Sequence, residues 1–305
     1  MPHPTLTQAL QSGPVVLDGG LATWLEAAGH DLTDELWSAR LLADDPDAIV
    51  AAHRAFLDAG ARVITTASYQ ATAAGFVRRG HDLARARHLI GSSVDLVRRA
   101  ADGHDGPLWI AGSIGPYGAA LADGSEYRGD YGLSHAQLVR FHRPRMALLA
   151  EAGADVLALE TVPDVREAQA MLTALDGLGV PAWLSFTIAE DRTRAGQPLR
   201  EAFALVAGRT DIVAVGVNCS SPADATAAVA RAARVSGKPV MIYPNSGEHW
   251  SAGSRRWLGT RAELTAQVSR WVDDGARLVG GCCRVTPDDI AGIARVVGSL
   301  PRPGQ

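Results

Sequence analysis

Eight short apolar runs recur along the chain, each separated from the next by a stretch of helical period, and this alternation constrains the fold more than any other feature. The runs cover residues 15–18, 62–66, 108–113, 154–160, 182–187, 212–218, 240–243 and 277–280. Several show little apolar–polar alternation, as strands buried on both faces do. The helix signals between them are clear. Asp45-Pro46 offers an N-cap followed by proline at the first helical position, with Ile49, Phe56 and Leu57 on one face. Thr286-Pro287 opens a stretch in which Ile290, Ile293, Ala294 and Val297 repeat at helical spacing. Gly60, Gly153 and Gly275 each stand between a helix and a strand, where a C-terminal cap belongs. Eight strand–helix units predict one α/β fold, a (β/α)8 TIM barrel with its active site at the C-terminal mouth. A doubly wound open sheet is the rival, but no G-x-G-x-x-G follows the first strand. Residues 1–305 are read as a single domain, with 301–305 as a disordered tail.

Composition narrows the partners. Hydrophobic residues make up 47% of the 305 and charged residues 20%, a normal globular balance. A formal net charge of -4 gives no electrostatic reason to expect nucleic acid or an anionic membrane surface. Residues 1–13 lack the basic start and apolar stretch of a signal peptide, and no apolar run approaches the roughly 20 residues that span a bilayer. The cytoplasm is therefore the expected compartment. Three cysteines in a reducing compartment do not make a disulfide framework, so each needs its own explanation.

Two connections stand out. Residues 114–134 carry many glycines, three tyrosines (Tyr117, Tyr127, Tyr131) and no helical period. A loop of this length inside a compact domain is usually functional, and after the third strand it overhangs the mouth. Residues 246–257, after the seventh strand, form a second candidate.

The cysteines fall at strand ends. Cys219 closes the sixth strand in Gly216-Val217-Asn218-Cys219, before Ser221-Pro222. Cys282 and Cys283 follow the eighth in Gly280-Gly281-Cys282-Cys283-Arg284, before Thr286-Pro287. Each site thus lies near a helix N-terminus, whose partial positive charge favours thiolate. Adjacent cysteines point to opposite faces of a continuing strand, so both reach one ion only where the backbone bends, which two glycines permit. Three thiolates would leave one tetrahedral position of a zinc ion (Zn2+) open, the mark of a catalytic site. A substrate thiol in that position would be activated as a nucleophile. The alternative on spacing alone is small buried hydrophobes or a redox pair, though no C-x-x-C is present.

Carboxylates collect on the same face. Asp18 ends the first strand and Glu160 the fourth, where they suit the ammonium of an amino-acid substrate or, alternatively, cap helices or pair with arginine. Asn218 would orient Cys219 or bond substrate. Trp37, Tyr69, Tyr117, Tyr127, Tyr243 and Trp250 are the aromatic residues near the mouth, suited to a sulfonium or quaternary ammonium donor. His53, His81, His88, His135 and His142 lie in helical stretches and are read as surface residues. No Ser/His/Asp arrangement or Walker-type loop appears.

Taken together, these segments resemble the homocysteine S-methyltransferase family. The resemblance runs through Leu17-Asp18-Gly19-Gly20, Leu36-Trp37-Ser38-Ala39, Ala67-Ser68-Tyr69-Gln70-Ala71 and Gly112-Ser113-Ile114-Gly115-Pro116-Tyr117-Gly118. It continues in Ala122-Asp123-Gly124-Ser125-Glu126-Tyr127, Glu160-Thr161-Val162-Pro163 and Tyr243-Pro244-Asn245-Ser246-Gly247-Glu248, and includes both cysteine motifs. It implies a zinc-dependent barrel that methylates L-homocysteine to methionine. Cys219, Cys282 and Cys283 match the zinc ligands, and Asp18 and Glu160 match residues that hold the homocysteine amino group. Ser113, Asn218, Trp37, Tyr69 and Tyr117 complete the expected substrate-binding set. The long third loop and Tyr243-Pro244-Asn245-Ser246-Gly247-Glu248 look most like the branch that uses S-methylmethionine, with S-adenosylmethionine a poorer donor.

The alternatives are a betaine- or selenohomocysteine-type methyltransferase, a non-catalytic zinc- or thiol-binding protein, and a barrel lyase or aldolase. The last would need a strand-end lysine, whereas Lys238 precedes a strand. A cobalamin or folate module beside the barrel is not expected, which argues against a cobalamin-dependent methionine synthase acting alone. The oligomeric state is left open between monomer and homodimer.

Overall fold

The computed structural model describes residues 3–251 and 256–301, except for the side chains of 249–251 and 256–257. Eight parallel strands occupy the eight apolar runs. They are β1 (Val15–Val16), β2 (Val63–Thr65), β3 (Trp109–Ile114), β4 (Val156–Val162), β5 (Ala182–Phe186), β6 (Ile212–Asn218), β7 (Val240–Tyr243) and β8 (Ala276–Val279). Each pairs in parallel with its neighbours in sequence, and β1 pairs with β8 through Val15↔Leu278 and Val16↔Val279. A parallel bridge between Leu17 and Val63 joins β1 to β2, so the sheet closes on itself as a barrel. Through that bridge neither β1 nor β2 is a free edge of the barrel sheet.

The outer layer is built from α1 (Pro46–Asp58), α2 (Leu83–Ala100), α3 (His135–Glu151), α4 (Val165–Leu175), α5 (Leu199–Ala204), α6 (Pro222–Ser236), α7 (Val268–Asp273) and α8 (Pro287–Ser299). Their starts follow the local sequence. Asp45, Ser221 and Thr286 each accept a hydrogen bond from a backbone amide of the first turn, with proline at the start of the helix. Gly60, Gly153 and Gly275 take left-handed φ values just past α1, α3 and α7. The apolar faces of these helices and the outward residues of the strands form one continuous cluster. A second cluster fills the barrel interior with Leu17, Val63, Trp109, Trp183, Met241 and Leu278, among others. A helix over Leu6–Ser12 adds Leu6 and Leu10 to that interior cluster.

Some expectations change. The 114–134 connection has local order that periodicity did not reveal, with a helix over Tyr117–Leu121 and a 3-10 turn over Ser125–Tyr127. His53 and His142 are fully buried rather than at the surface. His53 lies on the same face of α1 as Ile49, Phe56 and Leu57, and His142 pairs with buried Glu167 at 2.9 Å. A two-stranded hairpin joins His249–Ser251 to Arg256–Leu258 within the loop after β7. The expected tail, 301–305, lies outside the described residues apart from Pro301. No described helix is long and apolar enough to cross a membrane.

Candidate active site

The C-terminal ends of the strands open into a cavity of about 480 Å3. Its walls include Asp18, Ser113, Glu160, Tyr243 and all three cysteines, with Trp37, Tyr69 and Tyr127 from the overhanging loops. Four carboxyl side chains line it (Asp18, Glu26, Glu126, Glu160), and none of the described lining residues is Lys, Arg or His.

The three sulfurs converge although they come from two non-adjacent strands. Each offers one ligand atom, and all lie within 4.8 Å of one another. The Cys219 and Cys283 sulfurs are 4.0 Å apart. Ligands at 2.3 Å in a tetrahedral zinc shell stand about 3.8 Å apart, so the donor set fits one ion, and thiolate sulfur is a soft ligand suited to zinc. The Cys219 and Cys282 sulfurs also lie in close contact, with Cα atoms 5.6 Å apart. Three thiols brought to one point by the fold are close enough for two of them to bond. Metal ligation needs thiolates, so the metal-binding state is the reduced one. Burial, and next the Glu26 carboxylate, pushes the Cys283 thiol up to about 11. A bound cation reverses that preference.

The bend after β8 depends on close approach. A Cβ on Gly281 would strike the Val285 side chain, and one on Gly280 would sit 2.6 Å from the Asp18 carbonyl oxygen. The left-handed conformations fall instead on Cys219 (φ 46°) and Arg284 (φ 66°). Such non-glycine residues persist only where their surroundings hold them. Here Gly281 N donates to the Asp18 carbonyl at 3.1 Å, Cys282 N to the Pro244 carbonyl at 2.8 Å and Arg284 N to Thr23 Oγ1 at 2.8 Å. Cys283 N donates to Asn245 Oδ1 at 3.2 Å, which ties the cysteine turn to the loop after β7.

Asp18 and Glu160 face the cavity from β1 and β4. Asp18 Oδ2 accepts from Thr65 N at 2.7 Å and Thr65 Oγ1 at 2.8 Å. Glu160 accepts from Ser113 Oγ through Oε1 and from the Tyr243 hydroxyl through Oε2 at 2.9 Å. Burial raises the Asp18 carboxyl to about 8 despite its Thr65 bonds, and burial likewise raises Glu160. Two buried carboxyls without a cationic partner among the described residues make a place that a ligand ammonium would stabilise.

Glu160 owes its aim to a bulge. Leu159 pairs with Leu184 and Val162 with Phe186, so β4 carries one extra residue over this step. Thr161 takes φ 59° there, an outlying value for a β-branched residue. Asn218 holds it. Its Oδ1 accepts from Thr161 N at 2.8 Å and Ser185 Oγ at 2.9 Å, and its Nδ2 donates to Thr161 Oγ1 at 2.7 Å. Ser185 Oγ continues to the Tyr243 hydroxyl at 2.7 Å, so Asn218 and Glu160 share one buried network. Asn218 does not line the cavity.

The aromatic set divides. Trp37 and Tyr69 meet edge to face at 6.3 Å between centroids and line the cavity with Tyr127 and Tyr243. Tyr117 does not line it, because its ring packs on Phe141 at 4.8 Å and Tyr131 at 5.3 Å. Its backbone amide donates to buried Glu167 Oε1 at 2.6 Å, so the residue anchors the loop. The Trp250 side chain lies outside the described residues. Sequence reasoning missed Thr65, Ser185, Glu26 and Glu126. Thr65 and Ser185 lie near strand ends and Glu26 in the helix Leu21–Ala27, while Glu126 falls in the long loop and in one of the motifs quoted above.

A (β/α)8 barrel presenting clustered thiols beside buried carboxylates at its mouth defines a class of thiol-handling barrel enzymes. The family model for homocysteine S-methyltransferases matches residues 15–297. A homocysteine S-methyltransferase of Escherichia coli is 46% identical over 92% of this chain and 94% of its own length. The chain superposes on the metallated form of the homocysteine methyltransferase MmuM from Escherichia coli with a TM-score of 0.83 and 43% identity, covering 93% of this chain and 96% of that one. An oxidized form of MmuM gives 0.83 and 45%, covering 92% and 95%. The chain therefore belongs to the homocysteine S-methyltransferase family.

Proposed function

We propose that this chain transfers a methyl group from a sulfonium donor of the S-methylmethionine type to L-homocysteine, forming methionine, with zinc held by Cys219, Cys282 and Cys283. The observation that carries the reading is the convergence of three sulfurs within 4.8 Å of one another on the wall of the cavity that also exposes Asp18 and Glu160. When bound, zinc lowers the pKa of the acceptor thiol and keeps it nucleophilic at neutral pH. Asp18 and Glu160 receive the homocysteine ammonium, which fixes the direction in which its side chain runs toward the cysteines. Thr65, Ser113 and Tyr243 hold those carboxylates in place through the hydrogen bonds above. Trp37, Tyr69 and Tyr127 offer π-faces to the sulfonium.

In the transfer, the acceptor sulfur forms its bond to the methyl carbon as the donor sulfur–methyl bond breaks. The electron pair stays on the donor sulfur, and both products are neutral thioethers. Charge is lost on the way to the transition state, so a closed, weakly hydrated site favours the step. No proton moves in it. The thiolate set suits a reducing compartment, which supports the cytoplasm as the setting.

A donor assay tests the proposal. The reduced, zinc-loaded protein is incubated with homocysteine and S-methylmethionine, S-adenosylmethionine or betaine, and methionine is measured. Methionine from S-methylmethionine is the expected result. Product from betaine alone would overturn the donor assignment.

A further inference from the structure

Glu126 stands on the 3-10 turn Ser125–Tyr127 and lines the cavity beside Tyr127. Its Oε2 is buried and has no hydrogen-bond partner among the described residues. The turn is firmly placed. Tyr127 N and Arg128 N donate to the carbonyls of Gly124 and Ser125 at 3.1 and 3.0 Å, and Ser125 N donates to Asp123 Oδ1 at 2.9 Å. A Cβ on Gly118 would strike the Glu126 amide nitrogen, so the turn sits directly on the Tyr117–Leu121 helix. That helix is in turn fixed to the His142–Glu167 pair through Tyr117 N. Glu126 lines the same cavity as Tyr69 and Cys283, so its carboxyl shares that wall with the aromatic rings and the thiols. Burial raises its own carboxyl.

A sulfonium has no hydrogen to donate, and its fitting partners are the aromatic faces. An acceptor oxygen buried without a donor fits a different group. We infer that Glu126 receives the ammonium of the methyl donor, so that the site selects sulfonium donors that are also α-amino acids. This rests on the methyl-transfer reading above and adds a second carboxylate site, for the donor, to the Asp18–Glu160 site for the acceptor. The ammonium is remote from the methyl group in transit, so its contact is equally strong in ground and transition states. Loss of such a contact raises KM and leaves kcat in place.

The test compares wild type with Glu126→Gln on S-methyl-L-methionine and on dimethylsulfonioacetate, a sulfonium without an ammonium. Removing a charge-assisted hydrogen bond should raise the donor KM for S-methylmethionine about 10- to 100-fold with kcat within about twofold. The KM for dimethylsulfonioacetate and for homocysteine should stay unchanged. Equal effects on both donors, or none on either, would overturn the assignment. Calorimetric binding of S-methylmethionine separates this from the underlying reading. If wild type turns over neither donor, methyl transfer itself fails, while tighter binding to wild type than to Glu126→Gln still supports the ammonium site. Equal or absent binding refutes it.

Discussion

Replacing Asn218 by alanine tests whether one buried amide holds the bulge that aims Glu160. The side chain is wholly buried and makes three hydrogen bonds, two to Thr161 and one to Ser185. Ser185 retains its bond to Tyr243 in the variant, whereas Thr161 loses both its side-chain partner and the acceptor for its amide. A stranded buried amide costs about 1–3 kcal/mol. Thr161 also loses two of the bonds that hold its φ of 59°, a strain of order 1–3 kcal/mol whose relaxation would move the neighbouring Glu160. The expected loss is therefore about 2–4 kcal/mol in denaturant unfolding, with a fall in Tm on the order of 5 °C. Homocysteine KM should rise about tenfold, because the neighbouring carboxylate is mis-aimed. Unfolding within about 0.5 kcal/mol of wild type, together with an unchanged homocysteine KM, would refute the reasoning and show that the bulge is held elsewhere.

Two further substitutions probe the cysteine turn and the buried histidines. Gly281→Ala places a Cβ on the Val285 side chain, so stability should fall by about 1–3 kcal/mol and zinc occupancy of the reduced protein should drop, as read by plasma mass spectrometry. His53 is buried with neither ring nitrogen bonded among the described residues, and burial lowers it to about 3. The unfolded chain binds its proton near the ordinary value of 6.5 while the folded chain does not, so stability declines as pH falls from 6.5 toward 3. His53→Leu should flatten that slope by up to about 1.4 kcal/mol per pH unit, measured by unfolding across the window, without changing the donor KM. An unchanged slope would mean that His53 is protonated in the fold.

The strands were legible because each is a local event: an apolar run, buried on both sides, stopped by a residue that faces the mouth. The same holds for the caps at Asp45, Ser221 and Thr286, where proline and an acceptor stand side by side. The bulge at Thr161 could not be read in this way. Its holder, Asn218, is 57 residues away, and the hydroxyls on Glu160 come from Ser113 and Tyr243, 47 and 83 residues away. The burial of His53 and His142 was hidden for a related reason. Histidine carries no strong preference for inside or outside, and only the neighbouring helices decide. Tyr117 shows the limit of reading a loop by composition. Its place in an aromatic-rich segment suggested a cavity wall, but the Tyr117–Leu121 helix turns the ring onto Phe141. The two glycines before Cys282 were correctly tied to a bend, although what they supply is room rather than a left-handed φ.

Methyl transfer is proposed to depend on a metal held by the three cysteines. The most direct measurement takes the protein under reducing conditions, determines zinc and methionine formation on the same samples, and repeats both after chelation and after Cys219→Ala. Stoichiometric zinc with activity is expected in the wild type, with loss of both on chelation, recovery on adding zinc back, and neither metal nor activity in the variant. Undiminished methionine formation by reduced protein shown to contain no metal would contradict it.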